Sequence, residues 1–273
     1  MEKKKILFVS QEIFPFSPKT ELSNTARRLP QGIQESGKEI RVFTPRFGSI
    51  NERRHQLHEV IRLSGMNLII DDNDHPLIIK VASIAPARMQ VYFIDNDEFF
   101  KRKYNVIDDK GAYYADNDER SMFFCRGVLE TVKKLGWQPD VIHCHGWMTA
   151  VMALYIKKIY AKDPHFANTK VVYNLYNDTF NTNWDSRFGE KLKFDGFEDE
   201  IVDAMKDTSC INITRVISKY VDGLTVASET LSPELQAIFD EATCLKQEYV
   251  PEESQTKVFS EFFDKVIEAN VLI

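Results

Sequence analysis

The stretch "PDVIHCHGWMTA", Pro139 to Ala150, holds a change of local structure. Val141 and Ile142 lead into His143-Cys144-His145, a short apolar run of the kind that forms a buried strand. Gly146 supplies a turn, and the following "GWMTAVMALYIKKIYAK" has the length and apolar content of a helix. Side chains alternate along a strand, so His143 and His145 share one face near its carboxyl end. Strand, turn and helix in that order are the repeating unit of a parallel α/β sheet.

The same unit recurs on both sides. "KKILFVS" (Lys4–Ser10) is a short apolar run, and Leu22, Ala26, Leu29 and Ile33 then recur at helical spacing until Gly37. "EIRVFTP" (Glu39–Pro45) closes a first βαβ unit. From Asn51 to Ile84, short β-like runs surround the turn cluster Asp71–Asp74, which predicts an insertion of β-hairpin type. "MQVYFID" (Met89–Asp95) returns to the buried-strand pattern, and Asn117–Leu135 predicts a helix ended by Gly136. "KVVYNLYN" (Lys170–Asn177) and "GLTVAS" (Gly223–Ser228) are further strands, the second expected to be the last. Ser232 and Pro233 then start a helix as N-cap and first residue, and Ser254–Ala269 is an amphipathic helix. The fold class that follows is α/β, a doubly wound and mostly parallel sheet. Residues 1–245 are expected to form the domain, with 246–273 a helical extension of it.

In such sheets ligands bind beyond the carboxyl ends of the strands. The segments there are Gln11–Lys19, Pro45–Ser49, His143–Trp147, Tyr173–Asn177 and Ser228–Thr230. A paired H-x-H at a strand end can bind zinc when a third ligand arrives. His55 and His58 are candidate partners, but "RRHQLHE" reads more simply as a solvated charged face. No metal is expected; His143 is read as partly buried and His145 as standing at a pocket rim. The first βα turn, "SQEIFPFSPKTEL", has no glycine, which argues against a dinucleotide or P-loop site. "DDNDHPL" lacks the glycine and terminal glutamate of a calcium loop, and no G-x-S-x-G elbow occurs.

Composition narrows the partners. The formal net charge of −6 opposes general nucleic-acid binding, which needs a basic face. Cys125, Cys144, Cys210 and Cys244 show neither zinc nor disulfide spacing, and Cys125 and Cys144 fall inside apolar patterns as reduced core residues. The apolar run after "MEKKK" is too short for a signal peptide, and no run approaches the ~18 apolar residues of a membrane span. The expectation is a cytoplasmic protein, in which Asn177-Asp178-Thr179 and Asn212-Ile213-Thr214 are chance glycosylation matches.

Seven pieces, "KKILFVSQEIFPFSPKTELSNTARRLP", "IRVFTPRFGSI", "MQVYFIDNDEFF", "YYADNDERSMFFCRG", "WQPDVIHCHGWMTA", "VVYNLYN" and "YVDGLTVASETLS", stand in the order and spacing of a known family. From Lys3 to about Leu235 the chain resembles the N-terminal domain of bacterial glycogen synthases and plant starch synthases. The resemblance implies one half of a glycosyltransferase built from two Rossmann-like domains that face across a cleft. It also implies glucosyl transfer from ADP-glucose to an α-1,4-glucan with retention, without a separate cofactor. The N-terminal half of such enzymes mainly offers the acceptor side.

The family's motifs carry over incompletely. Its K-T-G-G-L loop falls on Pro18-Lys19-Thr20-Glu21-Leu22, so Pro18 takes the lysine's place and Thr20 and Glu21 replace the glycines. A shift by one residue would restore Lys19-Thr20 but not the glycines. H-x-H-D-W becomes "HCHGW", with Gly146 in place of the acid, and the histidine of V-H-N becomes Tyr173 while Asn174 is kept. Substrate-binding candidates are therefore Lys19, His143, His145, Trp147, Tyr173, Asn174 and Asn177, with Tyr176 and Trp184 as further stacking surfaces. No catalytic residue is assigned. Family members continue for about as many residues again, whereas the segment after Thr243 does not resemble the entry to their nucleotide-binding domain. The expectation is a truncated, non-catalytic relative. Three alternatives stay open: a glucan-binding or protein-interaction module, a half-synthase completed by a second polypeptide, and a self-associating subunit.

Overall fold

The computed structural model describes residues 3–269. Its centre is β1 (Lys5–Ser10), where Ile6 to Val9 are at most 1% exposed because layers cover both faces. α1 (Glu21–Glu35) buries Leu22, Ala26, Leu29 and Ile33, the predicted stripe. Gly37 adopts φ +100°, and the chain turns into β2 (Glu39–Pro45), parallel to β1 with Val42 opposite Phe8.

The insertion follows as α2 (Glu52–His55), β3 (His58–Glu59), β4 (Met66–Ile70) and β5 (Asn73–Ile84). β4 and β5 are antiparallel, joined through Asp71 and Asp72 at positive φ, so the expected hairpin is present. β6 (Met89–Asp95) pairs antiparallel with β5 and parallel with β2, which attaches the insertion to the sheet. Next come α3 (Asp97–Phe100) and α4 (Asn117–Lys134), then β7 (Val141–His145) on the other side of β1.

The helix expected after Gly146 is broken. A 3₁₀ turn (Trp147–Thr149), the short α5 (Met152–Leu154) and a π-helix (Tyr155–Ile159) take its place. The Met148 carbonyl accepts from the Ser121 hydroxyl at 2.9 Å, and the Thr149 hydroxyl donates back to Gly146 O at 2.7 Å. These side-chain bonds compete with the regular helical ladder.

The remaining elements are β8 (Lys170–Leu175), α6 (Phe188–Phe194), α7 (Asp199–Ala204), α8 (Cys210–Ile217), β9 (Gly223–Val226), α9 (Pro233–Glu241), β10 (Leu245–Gln247) and α10 (Glu252–Glu268). Ser232 caps α9 as expected. β9 is not the last strand, because β10 pairs parallel with it. The boundary drawn at residue 245 therefore lies inside β10.

The strand order is β10-β9-β8-β7-β1-β2-β6-β5-β3, with β4 beside β5. From β10 to β6 every pairing is parallel, a doubly wound, Rossmann-like α/β sheet. The order reverses between β1 and β7, and the crevice at their carboxyl ends is the topological place for a ligand. Among the described residues no helix is long and apolar enough to cross a membrane.

α10 lies against α1 and closes one face with Phe259, Phe262, Phe263 and Val266 buried. Arg28 pairs with Glu252, and Lys38 with Asp264 at 3.0 Å. The approach is close: a Cβ on Gly32 would lie 2.1 Å from Thr256 Oγ1 and 3.0 Å from Thr256 Cβ. In an open helix Gly→Ala gains about 1 kcal/mol. Here overlap costing roughly 1–3 kcal/mol outweighs that gain. Gly32→Ala should therefore lower the stability measured by urea unfolding; a stabilised variant would show that α10 does not sit against this face.

Candidate functional site

The crevice is built by the segments that follow β1 and β7. Gln11 N donates to His145 O at 2.9 Å, and the Gln11 Oε1 accepts from Met148 N at 3.1 Å, tying the two strand ends together. Gly146, between them, has φ +85° and ψ 155°, a conformation nearly restricted to glycine. A Cβ there would lie 2.8 Å from Gln11 Cβ and 2.9 Å from Leu22 Cδ1. The residue that replaces the family's acid thus stands where no side chain fits.

α1 begins beside this point. Ser23 N donates to Thr20 Oγ1 at 3.0 Å and Thr20 N to Ser23 Oγ at 2.8 Å, a reciprocal cap. Glu21, in the first turn, accepts a 2.5 Å hydrogen bond from the Ser228 hydroxyl beyond β9. The positive end of a helix favours an anion by about 0.3–1 kcal/mol. This chain supplies that anion itself.

The two histidines point away from the crevice. Alternation along β7 puts both on one face, where α10 brings Phe263 and Phe259 to 5.2 and 5.4 Å from the His143 ring. Both residues are fully buried, which corrects two readings: His143 is not partly exposed, and His145 is not at a rim. They form a chain of polar contacts. His143 Nδ1 is 3.1 Å from His145 Nε2, and His145 Nδ1 is 2.7 Å from Tyr176 Oη. The Asn174 amide donates to Tyr176 Oη at 3.2 Å and accepts from Thr225 at 2.7 Å. With Tyr176 donating onward, each imidazole passes one proton along, and the His143 Nε2–H meets aromatic rings instead of a polar partner. Burial pushes His145 down to about 3 and holds His143 well below its ordinary range, with His145 adding to the second shift. Both rings are neutral at physiological pH and belong to the core.

What stays open is a cleft of about 310 Å³ lined by Gln11, Glu12, Glu21, Tyr113, Asn177 and Asp178, among others. Burial, and then the charge of Asp178, raise the Glu12 carboxyl above its ordinary value; burial does the same for Asp178. Tyr113 is brought in by the loop between α3 and α4. Arg120 clamps that loop by donating to Phe99 O, Asn117 Oδ1 and Asn105 O at 2.8, 2.6 and 2.6 Å. Below the cleft, Trp147 packs on Phe180 (5.1 Å) and Phe180 stacks on Trp184 (5.3 Å).

The sequence candidates therefore separate. Asn177 stands exposed on the cleft, its Oδ1 accepting from Ser232 N at 3.1 Å. Trp147 reaches the cleft but is only 3% exposed. Lys19 is exposed and does not line it. Tyr173 is buried over a void of about 10 Å³, Asn174 belongs to the histidine network, and Tyr176 and Trp184 are buried. Glu12, Glu21, Tyr113 and Asp178 were not singled out as ligand groups. Of these, Glu12 falls within a strand-end segment named from the sequence, Glu21 and Asp178 lie just beyond such segments, and nothing local signalled Tyr113. His55 packs on Phe16 at 5.0 Å and His58 is exposed, so neither approaches the buried pair. Among the described residues, the metal-donor group Asp118, Glu119 and Asp185 surrounds the Lys191 ammonium at 2.7, 2.7 and 2.9 Å. Lys191 already supplies that cluster's cation and joins α6 to α4.

Two outcomes follow. A histidine with a depressed folded pKa stays neutral while the unfolded chain takes up a proton, so its neutral burial costs stability as pH falls below about 6.5, by ~1.4 kcal/mol per pH unit. Replacing His145 by Gln removes that penalty. The stability difference, wild type minus His145→Gln, measured by urea unfolding, should fall by roughly 1–2 kcal/mol between pH 7.5 and 5; a pH-independent difference would contradict the neutral burial. Gly146→Asp should cost about 3 kcal/mol from strain and overlap, with Gly146→Ala nearly as costly, whereas wild-type stability in either would contradict the crowding.

The family model for the starch synthase catalytic domain matches residues 5–246. The glycogen synthase of Chlorobaculum tepidum is 35% identical over 234 residues, covering 85% of this chain and 47% of its own length. That of Chlorobium limicola is 37% identical over 174 residues, covering 63% and 36%. The catalytic domain of starch synthase IV from Arabidopsis thaliana, bound to ADP and acarbose, superposes with a TM-score of 0.68 at 17% identity, a likeness of fold, over 97% of this chain and 50% of that one. The chain spans about half the length, or less, of these relatives. With the match running from the central strand into β10, the chain belongs to the starch synthase catalytic domain family.

Proposed function

We propose that this chain binds the end of a neutral α-1,4-glucan in the cleft after β1 and β7, and does not by itself transfer glucose from ADP-glucose. The observation that carries this reading is the Glu21 carboxylate, held by Ser228 at the start of α1. A diphosphate brought to this helix end would meet Glu21, with Glu12 and Asp178 nearby and no lysine or arginine among the described residues that line the cleft. Like charges 4 Å apart near a protein surface repel by about 4 kcal/mol, more than the helix end returns. Sugar hydroxyls suit the same lining. They donate to carboxylates, and Tyr113 offers a partly exposed ring for a pyranose to rest on.

Relatives named glycogen synthase, and a starch synthase domain that holds ADP and acarbose, support a glucan as the ligand class. Their greater length supports a second reading, in which another segment or chain provides the nucleotide-sugar wall. In that reading the second wall would exclude water and stabilise the charge that develops in transfer.

Titration with maltoheptaose, followed by tryptophan fluorescence, should saturate in the millimolar range. The Glu12→Gln variant should bind about tenfold more weakly, as the loss of one charged hydrogen bond predicts. ADP-glucose should give no saturable response, and labelled glucose should not reach glycogen. A flat response to sugar overturns glucan binding. Transfer by the purified chain overturns the non-catalytic reading, and transfer only with cell extract supports the completed half-synthase.

A further inference from the structure

We infer that a second site lies at the opposite end of the sheet, where a groove takes a small amphipathic anion, an apolar chain ending in a single acidic head. The groove lies beyond the first residues of β8 and β9 and has a volume of about 940 Å³, some three times that of the strand-end cleft. Small-molecule sites run to roughly 300–1,000 Å³. Its floor is apolar, formed by Ile156, Phe166, Val221 and Ile267.

One wall is the π-helix Tyr155–Ile159, closed by Tyr160 N donating to Tyr155 O at 2.8 Å. Wide turns of this kind are rare and occur frequently at functional sites. This one places Ile156, Lys157 and Lys158 on the groove.

The charge around the groove is unbalanced. Lys157 and Lys170 share the one carboxylate of Asp222, at 2.6 and 3.9 Å. Among the described residues, Lys158 has only Glu198 at 3.5 Å, which is exposed, and rests over the Tyr220 ring at 5.6 Å. Lys219 makes no ion pair among the described residues. Among the described residues, four ammonium groups thus line a groove that holds one carboxylate, in a chain whose net charge is −6. A polyanion such as nucleic acid would meet the acidic remainder of the surface. A single acidic head on an apolar body matches both the lysines and the floor.

Decanoate below its micellar concentration is the probe, added to the full chain and followed by calorimetry. Binding should be saturable with one site. Lys158→Glu/Lys219→Glu should weaken it about tenfold, as two part-solvated charge contacts predict. Ala167→Trp, at an exposed turn position on the groove, should abolish it while leaving the unfolding midpoint unchanged. Decanol should bind at least about tenfold more weakly than decanoate. No saturable binding, an unaltered affinity in Ala167→Trp, or equal binding of decanol would overturn the site. Vesicles with anionic lipid should not retain the protein; retention lost in the double lysine variant would replace a free ligand with a membrane surface and overturn the inference.

Discussion

No side chain fits between the ends of β1 and β7. Gly146 lies against Gln11 and Leu22, in a backbone conformation that other residues rarely enter. That crowding organises the whole functional end of the sheet. It brings the start of α1 against the strand ends, so that Glu21 reaches Ser228 and Gln11 reaches the Met148 amide. Protein groups thereby take up the polar positions that an open crevice would offer to a ligand. The remaining cleft is displaced toward Glu12, Tyr113 and Asp178 and has an acidic lining.

The histidine pair shows the same constraint from inside. Residues two apart on a strand share a face, and that rule put His143 and His145 together before any coordinates. It could not say which face. The answer depends on α10, distant in sequence, whose Phe259 and Phe263 cover His143 and remove it from solvent. Neutral imidazoles then become links in a buried chain that reaches Tyr176, Asn174 and Thr225. In this chain the two histidines are taken up by packing and hydrogen bonds.

The parallel sheet was legible because its strands are short runs dominated by apolar residues, and because Gly37 and Gly136 end helices where periodicity ends. The hairpin at Asp71–Asp72 was legible for a similar local reason: aspartates tolerate the left-handed backbone that the turn needs. β10 was missed because three residues, two of them exposed, carry no pattern. The broken helix after Gly146 was missed because Ser121, on another element, takes the Met148 carbonyl. Of the residues that line the cleft, Asn177 and Trp147 lie in segments read as strand ends, whereas Tyr113 enters through a loop fixed by the buried Arg120. Glu21 was read as an obstacle to phosphate, and its hydrogen bond to Ser228 gives that reading a geometry.

The most direct measurement is a crystal structure of the chain soaked with ADP and maltotriose together. The account predicts sugar density between Glu12, Tyr113 and Asp178, with Glu21 still on Ser228 and no diphosphate at the start of α1. A diphosphate bound to the Thr20–Ser23 amides, with Glu21 swung away, would contradict it.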